Sequence, residues 1–587
     1  MKNKSVFLCA ALAMSGSLAF AASLEDGFRN PPSTAKPHTW WHWMNGNVTK
    51  EGITADLEAM AEIGLGGAQI FDAGCDIPAG PLAYNTPEWF DTIKHAAAEA
   101  RRLGLELCLP NCSGWSSSGG PWNPPENGMK KLDWTETEVT GPTTFKGVLK
   151  QPPNPHGFYA DIAVLAMPVP AAEQKSMKDA GVKVDQTGKQ TTFTFPATYT
   201  ASGFSCRLLC GWSWSATGKV RVETSEDGTT FKPAGERTIQ LAAHGVSDHG
   251  VRFIPFAHKI SARVFRLTFD MPALLNVRVV DPVLESKMVI GDLAAKSFQV
   301  RTPVPVETIV ATDDQIVAKD RLVNLTAKMG KDGSLVWDVP AGRWRILRLG
   351  FAANGRRNHP ASVKGVGLEV DKLSKAAMDF HFDAYVAKLC KHLGPLAGNV
   401  SSGLNNILVD SYEVGSQNWT QGFEKEFKAR RGYDITPWLP VLAGHVVGST
   451  DESERFLWDF RRVVADLFAE NYAGELTRKC HEYGLACSIE PYGSCPSDSI
   501  NTCIKDVGSI KLIQVNAGEG VYSGLYILTS VPFEIVERVL KSEDFISYLR
   551  LIKKYKSGGY YTFNSKELET YLNFKLSHYG KRKTYYN

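Results

Sequence analysis

The sequence predicts an α/β fold: a (β/α) barrel that is interrupted by an inserted all-β domain and is short of its full set of strands. Three observations predict it. Strand and helix signals alternate over residues 36–125; period-two alternation takes over from about residue 131, with no convincing helix until about residue 372; and helix–strand alternation then resumes. Consecutive βα steps imply a parallel sheet.

Taken in order, Thr39 to Met44 reads as the first strand, and Thr49 as the N-cap of a helix that sets Ile53, Leu57 and Met60 on one face and stops at Gly64. Ala68 to Phe71 is the second strand. Thr86-Pro87-Glu88 opens a helix running through Ile93 and Ala97 to Gly104, and Leu105 to Leu109 is the third strand. In the β-rich part, Val220 to Phe231 runs into an Asp-Gly turn and Ala262 to Phe269 alternates strictly, a pattern like that of jelly-roll, galactose-binding-like modules. Such a module binds sugar or only packs on the barrel, and no sugar ligands stand out in it. Met378, Phe382, Tyr385, Leu389 and Leu393 restore helical spacing ahead of the strand Asn406 to Asp410. A long helical stretch through Phe456, Phe460, Val463, Leu467 and Leu476 stops at Gly484 and feeds the strand Ala486 to Ile489. That makes roughly five barrel strands where closure needs eight.

The predicted divisions are a leader over 1–21, the first part of the barrel over 22–130, an inserted β-sandwich region over 131–365, the barrel's continuation over 366–499 and a stretch of unknown fold over 500–587. The leader has Lys2 and Lys4, an apolar run from Val6 to Ala13 and small residues ending in Ala19-Phe20-Ala21, the pattern of a secretory signal peptide. Ser15, Gly16 and Ser17 break the run below the length of a membrane span. Export to the periplasm or exterior of a bacterium, without a transmembrane anchor, is expected. After Ser499 there is no Trp, whereas 10 of the 19 Tyr lie in residues 501–587. An interrupted reading frame near residue 500 and a small α/β domain of unusual composition both account for this break.

A net charge of +3, from 65 Lys+Arg against 62 Asp+Glu, gives no field that would hold nucleic acid. The cysteines form no CxxC pair and no Cys/His cluster at zinc spacing, so buried thiols, with a few disulfides at most, are expected.

Barrel chemistry sits at the C-terminal ends of strands, and here those ends are polar. The first strand leads to His42, Trp43, Asn45 and Asn47, the second to Asp72, the third to Asn111, Ser113 and Trp115, the fourth to Asp410, Tyr412 and Glu413, and the fifth to Glu490 and Tyr492. Glycoside hydrolysis needs one protonated carboxyl group and one ionised carboxylate, and Glu413 and Glu490, each following an apolar strand, are the natural pair. Either is alternatively a sugar-hydroxyl or metal ligand. Asp410 is expected to orient the site through hydrogen bonds. Trp41, Trp43, Trp115, Trp122 and Trp419 offer flat faces to sugar rings, with about half of them expected to be packing residues. His42 either bonds a sugar hydroxyl or braces its loop.

Several segments together resemble glycoside hydrolase family 106: Trp40-Trp-His-Trp-Met-Asn-Gly46, Gly67-Ala-Gln-Ile-Phe71, Pro110-Asn-Cys-Ser-Gly-Trp115, Pro340-Ala-Gly-Arg-Trp-Arg-Ile-Leu-Arg348, Gly367-Leu-Glu-Val-Asp-Lys-Leu373, Val409-Asp-Ser-Tyr-Glu413 and Ile489-Glu-Pro-Tyr-Gly493. Their order over residues 30–497 carries the likeness. The resemblance implies a modified (β/α)8 catalytic domain and an inverting α-L-rhamnosidase acting on rhamnose-containing oligo- or polysaccharides. It also implies a calcium ion in the sugar site, for which no ligands are assigned, and casts Glu413 as general acid and Glu490 as general base, an order left open. Members of the family continue past this point, so a catalytically inactive glycan-binding protein is an alternative, as is a retaining, galactosidase-like barrel enzyme.

Overall fold

Alternation along the first strand decides which way its aromatic residues face. In β1 (His38–Met44), Trp41 and Trp43 join the core beneath the helices, while Trp40 and His42 turn to the opposite face of the sheet, where both meet Phe71. α1 (Lys50–Glu62) begins at Thr49, whose hydroxyl accepts from the Gly52 amide at 3.1 Å, and buries Ile53 and Leu57. β2 (Gly67–Ala73) is followed by α2 (Pro87–Leu103), capped by the Thr86 hydroxyl and ended by Gly104 at φ 71°, and then by β3 (Glu106–Pro110). These steps match the sequence reading. The structure is a computed structural model that describes residues 29, 35–116, 118–209, 215–243, 251–272, 277–299, 310–410, 412, 414–489, 511–515 and 525–529. The leader, Glu413, Glu490, Tyr492 and most of 500–587 lie outside the described residues.

The β-rich part contains β4 (Gly119–Gly120), β5 (Lys130–Val148), β6 (Tyr159–Pro168), β7 (Lys183–Thr187), β8 (Gln190–Leu209), β9 (Ser215–Ser225), β10 (Lys232–Ala243), β11 (Val251–Asp270) and β12 (Arg278–Glu285). These are followed by a one-turn helix α3 (Leu293–Lys296), β13 (Val323–Asn324), β14 (Ser334–Ala353) and β15 (Leu368–Glu369). β4 pairs antiparallel with β15, and the remaining strands form two antiparallel sheets. One has six strands, in the order β10-β9-β11-β8-β12 with β7 against β8, around Phe193, Phe204, Phe265 and Leu267; the other runs β13-β6-β14-β5. Antiparallel pairing therefore predominates in the molecule. β14 runs back along β5 from Ser334↔Val148 to Ala353↔Lys130, so this part of the chain leaves where it entered.

The helices that follow are α4 (Lys375–Phe382) and α5 (Lys388–Leu393), joined through the π-helical turn Asp383–Ala387. After β16 (Gly403–Val409) come α6 (Phe423–Arg431), α7 (Leu439–Leu442) and α8 (Thr450–Phe468), a second π-helical turn at Ala469–Gly474, α9 (Glu475–Glu482) and β17 (Ala486–Ile489); β18 (Lys511–Val515) pairs antiparallel with β19 (Leu525–Thr529). α6 has no counterpart in the sequence reading because only Phe423 and Phe427 are buried, a single i,i+4 pair among charged residues.

The parallel sheet has the order β1-β2-β3-β16-β17. β16 inserts beside β3 with Gly403 opposite Glu106, which reunites the two halves of the chain. Among the described residues the outer edges of β1 and β17 have no further neighbour, so these residues form an open five-stranded sheet and not a closed eight-stranded barrel. Gly46 turns the chain out of β1 at φ 77°, and a Cβ there would lie 2.0 Å from the Leu82 carbonyl oxygen. Gly46→Ala is expected to cost about 1–3 kcal/mol in backbone strain, with the clash in addition; an unchanged urea midpoint would contradict this.

Candidate active site at the strand ends

The C-terminal ends of β1, β2 and β3 carry a buried polar layer. The Asp72 carboxylate accepts from the Ser113 hydroxyl at 2.7 Å and from Trp89 Nε1 at 3.4 Å, and the Ser113 hydroxyl in turn accepts from the Ser362 amide at 3.0 Å. Burial raises the Asp72 pKa, while hydrogen bonds from Ser362, Ser113 and Trp89 oppose the rise. Asn45 donates to the Ile77 carbonyl at 2.6 Å and holds the turn after β1.

Asn111 is fully buried and donates to the Ser118 hydroxyl, which bonds the Tyr472 hydroxyl at 2.7 Å. The Ser118 amide donates to Glu369 Oε2 at 3.1 Å, and Lys372 Nζ donates to the same oxygen at 2.8 Å, both side chains being 0 % exposed. Burial raises the Glu369 pKa, and the Lys372 charge is the first of the groups that oppose it. The Lys372 ammonium also lies 5.7 Å from the Tyr412 ring centroid and 5.4 Å from that of Tyr472. Next to this pair, Asp371 takes hydrogen bonds from Lys130 at 2.8 Å, Thr420 at 2.7 Å and Gln417.

His381 sits beneath this layer. Its Nδ1 lies 3.1 Å from Trp122 Nε1, which can only donate, so Nε2 carries the proton and donates to the Asn111 carbonyl at 3.0 Å. Burial depresses its pKa to about 3 and keeps it neutral. Both π-helical turns deliver a tyrosine here: Tyr472 reaches Ser118, and the Tyr385 ring stacks on Trp122 at 5.3 Å and 9°.

The predicted site residues therefore separate. His42 is exposed, stacks on Phe71 at 5.4 Å and meets the Trp115 ring edge at 6.2 Å, so His42 and Trp115 line one open aromatic face. Asp410 and Tyr412 are half-buried at the end of β16. Trp43 requires correction: it is 0 % exposed, packed edge-on to Trp41 at 5.5 Å, and has no face to offer a sugar. Trp419 is likewise core. Asn45, Asp72 and Asn111 lie beneath the rim with partners inside the protein. Sequence reasoning missed Ser118, Glu369, Lys372, His381 and Tyr472; the signal available was the run Leu368-Glu-Val-Asp-Lys-Leu373, three charges among apolar residues. Ser118→Ala removes a partner from both Asn111 and Tyr472 and is expected to cost about 1–3 kcal/mol, read as a lower urea midpoint.

The described carboxylates do not make a calcium cage. Among the described residues no group of three or more His, Cys, Asp or Glu could hold a metal ion. Two of the buried oxygens without a hydrogen-bond partner, Asn111 Oδ1 and Glu369 Oε1, sit in a layer that already holds the Lys372 ammonium, which would repel a cation.

Residues 29–505 match the family described as alpha-L-rhamnosidase, glycoside hydrolase family 106. The structure is similar to that of a rhamnosidase from Novosphingobium sp. PP1Y, with a TM-score of 0.69 and 33 % identity, covering 82 % of this chain and 48 % of that one. A protein of Formosa agariphila named putative beta-glucuronidase is 36 % identical over 471 residues, which are 80 % of this chain and 30 % of that protein. The chain thus spans under half the length of either relative.

Proposed function

Because the chain belongs to glycoside hydrolase family 106, the α-L-rhamnosidase family, we propose that it removes terminal α-L-rhamnose from oligo- or polysaccharides by inversion, with Glu413 and Glu490 as the two reacting carboxyl groups. The observation that carries this reading is the parallel pairing of β16 with β17, Val409 opposite Ile489. Parallel strands release their chains at the same end of the sheet, so the segments leading to both glutamates leave side by side, with β16 beside β3, the strand that leads to Trp115. In this reading one glutamic acid protonates the departing oxygen while the other carboxylate takes a proton from the attacking water. His42 and Trp115 bind the sugar with Asp410, Tyr412 and Tyr492 as further contacts, and Asp72 and Asn111 hold the floor of the site.

Calcium is part of the proposal only as a requirement of the whole active site, its ligands unassigned; no step is derived through it. Secretion through the N-terminal leader is proposed with it. None of the described helices is long and apolar enough to cross a membrane. The six-stranded sheet is read as the jelly-roll, galactose-binding-like module.

The name of the Formosa agariphila relative favours a second reading, a β-glucuronide substrate. Turnover of an aryl α-L-rhamnoside and an aryl β-D-glucuronide, with and without calcium chelation and with the product anomer followed by NMR, tests both. Release of β-L-rhamnose supports the proposal. Glucuronide turnover alone transfers the site to the second reading, and release of α-L-rhamnose replaces inversion by retention. No turnover by folded protein overturns the enzyme reading in favour of glycan binding.

A further inference from the structure

α9 passes into β17 through a tight left-handed turn. The Cys480 carbonyl accepts from the Tyr483 amide at 3.0 Å and from the Leu485 amide at 2.9 Å, with Gly484 at φ 70°. Leu485 is therefore held against the last turn of the helix. Strand alternation puts Cys487, two residues on, on the same side as Leu485, and both pack into the core that holds Cys480. The Cys487 sulfur comes within hydrogen-bonding reach of the Cys480 thiol and the Thr477 hydroxyl, on successive turns of α9. Cys480 is buried and Cys487 half-buried, and both thiols are free.

We propose that Cys480 and Cys487 form a redox couple, a disulfide that staples α9 to β17 when a small disulfide oxidant such as glutathione disulfide is present. Hydrogen bonding by Cys480 lowers the Cys487 thiol pKa and raises its own, so Cys487, which is also the more accessible, reacts first. Its thiolate attacks one sulfur of glutathione disulfide and expels one glutathione thiolate. Cys480 then attacks the Cys487 sulfur of the mixed disulfide and expels the second. The two protein thiols are oxidised, the glutathione disulfide is reduced to two thiols, and the two protons end on the glutathiones. The staple would hold the strand that runs directly into Glu490, and it stands whether or not the rhamnosidase reading does.

The test is to equilibrate the folded protein in glutathione buffers from reducing to oxidising, quench with an alkylating agent and digest with chymotrypsin. Cleavage after Tyr483 and Tyr492 places Cys480, Cys487 and Cys495 on separate peptides. The expected result is a cross-linked Cys480–Cys487 pair in oxidising buffer that disappears on reduction, and glutathione trapped on Cys487 in the Cys480→Ser variant. Separate alkylation of Cys480 and Cys487 in the oxidised parent, or a cross-link from either to a different cysteine, overturns the proposal.

Discussion

Glu490→Gln and Glu413→Gln are each expected, on the proposed function, to lower kcat on a rhamnoside with a poor leaving group by about 10²–10⁴-fold, the range for loss of a positioned proton donor or acceptor. Glutamine keeps the shape and hydrogen bonding of the side chain but neither donates a carboxyl proton nor accepts one from water. The two variants separate on leaving-group acidity. An aryl group of low pKa departs with little protonation, so the variant lacking the general acid recovers much of its rate on such a substrate. The variant lacking the general base does not. Comparing an aryl with an alkyl rhamnoside in steady-state kinetics therefore assigns the acid and the base, which the sequence leaves open. Unchanged kcat in either variant removes that glutamate from the mechanism.

Lys372→Met is expected to be the most costly change to stability. It removes the only described charge paired with Glu369 where both groups are fully buried, and breaking a buried pair from one side typically costs about 3–5 kcal/mol. The loss should depend on pH. Burial already raises the Glu369 pKa, and removing Lys372 takes away the largest influence opposing that rise, raising it further. A group whose folded pKa lies above its unfolded value, about 4.3 for Glu, contributes stability below that value and loses it as the pH rises through the folded pKa. The variant should thus be closest to the parent at about pH 4.5 and furthest from it at about pH 8. Glu369→Gln combined with Lys372→Met removes both charges and should flatten this dependence. Urea unfolding at both pH values checks it; a loss independent of pH would mean that Glu369 is not the group left uncompensated.

Local signals that act within one turn of chain were legible. Thr49 and Thr86 open helices through their hydroxyls, Gly64 and Gly104 close them at positive φ, and the structure keeps all four in those roles. The five parallel strands were legible for the same reason, since each is a short apolar run bounded by caps and turns. The division of the rim was less so. Trp41, His42 and Trp43 stand together in sequence, and only the facing sheet and helices decide that Trp43 is core while His42 is open. Glu369 meets Ser118 across some 250 residues, and Tyr472 reaches it through a π-helical turn, a local widening of the helix that leaves no periodicity to read. The rim was visible in the sequence as a set of polar strand ends; the layer that supports it was not.

β3 and β16 are neighbours in the parallel sheet, yet about 290 residues of chain separate them. At a ribosomal pace of about 5–20 residues per second, β3 leaves the exit tunnel roughly 15–60 s before its partner has been made. The six-stranded sheet is finished in that interval around its own core, whereas the β13-β6-β14-β5 sheet still lacks the helices α6 and α8 that pack on it, and the first three strands wait with one side unpaired. The nascent chain is therefore most exposed to mispairing midway through synthesis, and a chaperone that shields sheet edges would act there, well before Asp410, Tyr412, Glu413 and Glu490 exist.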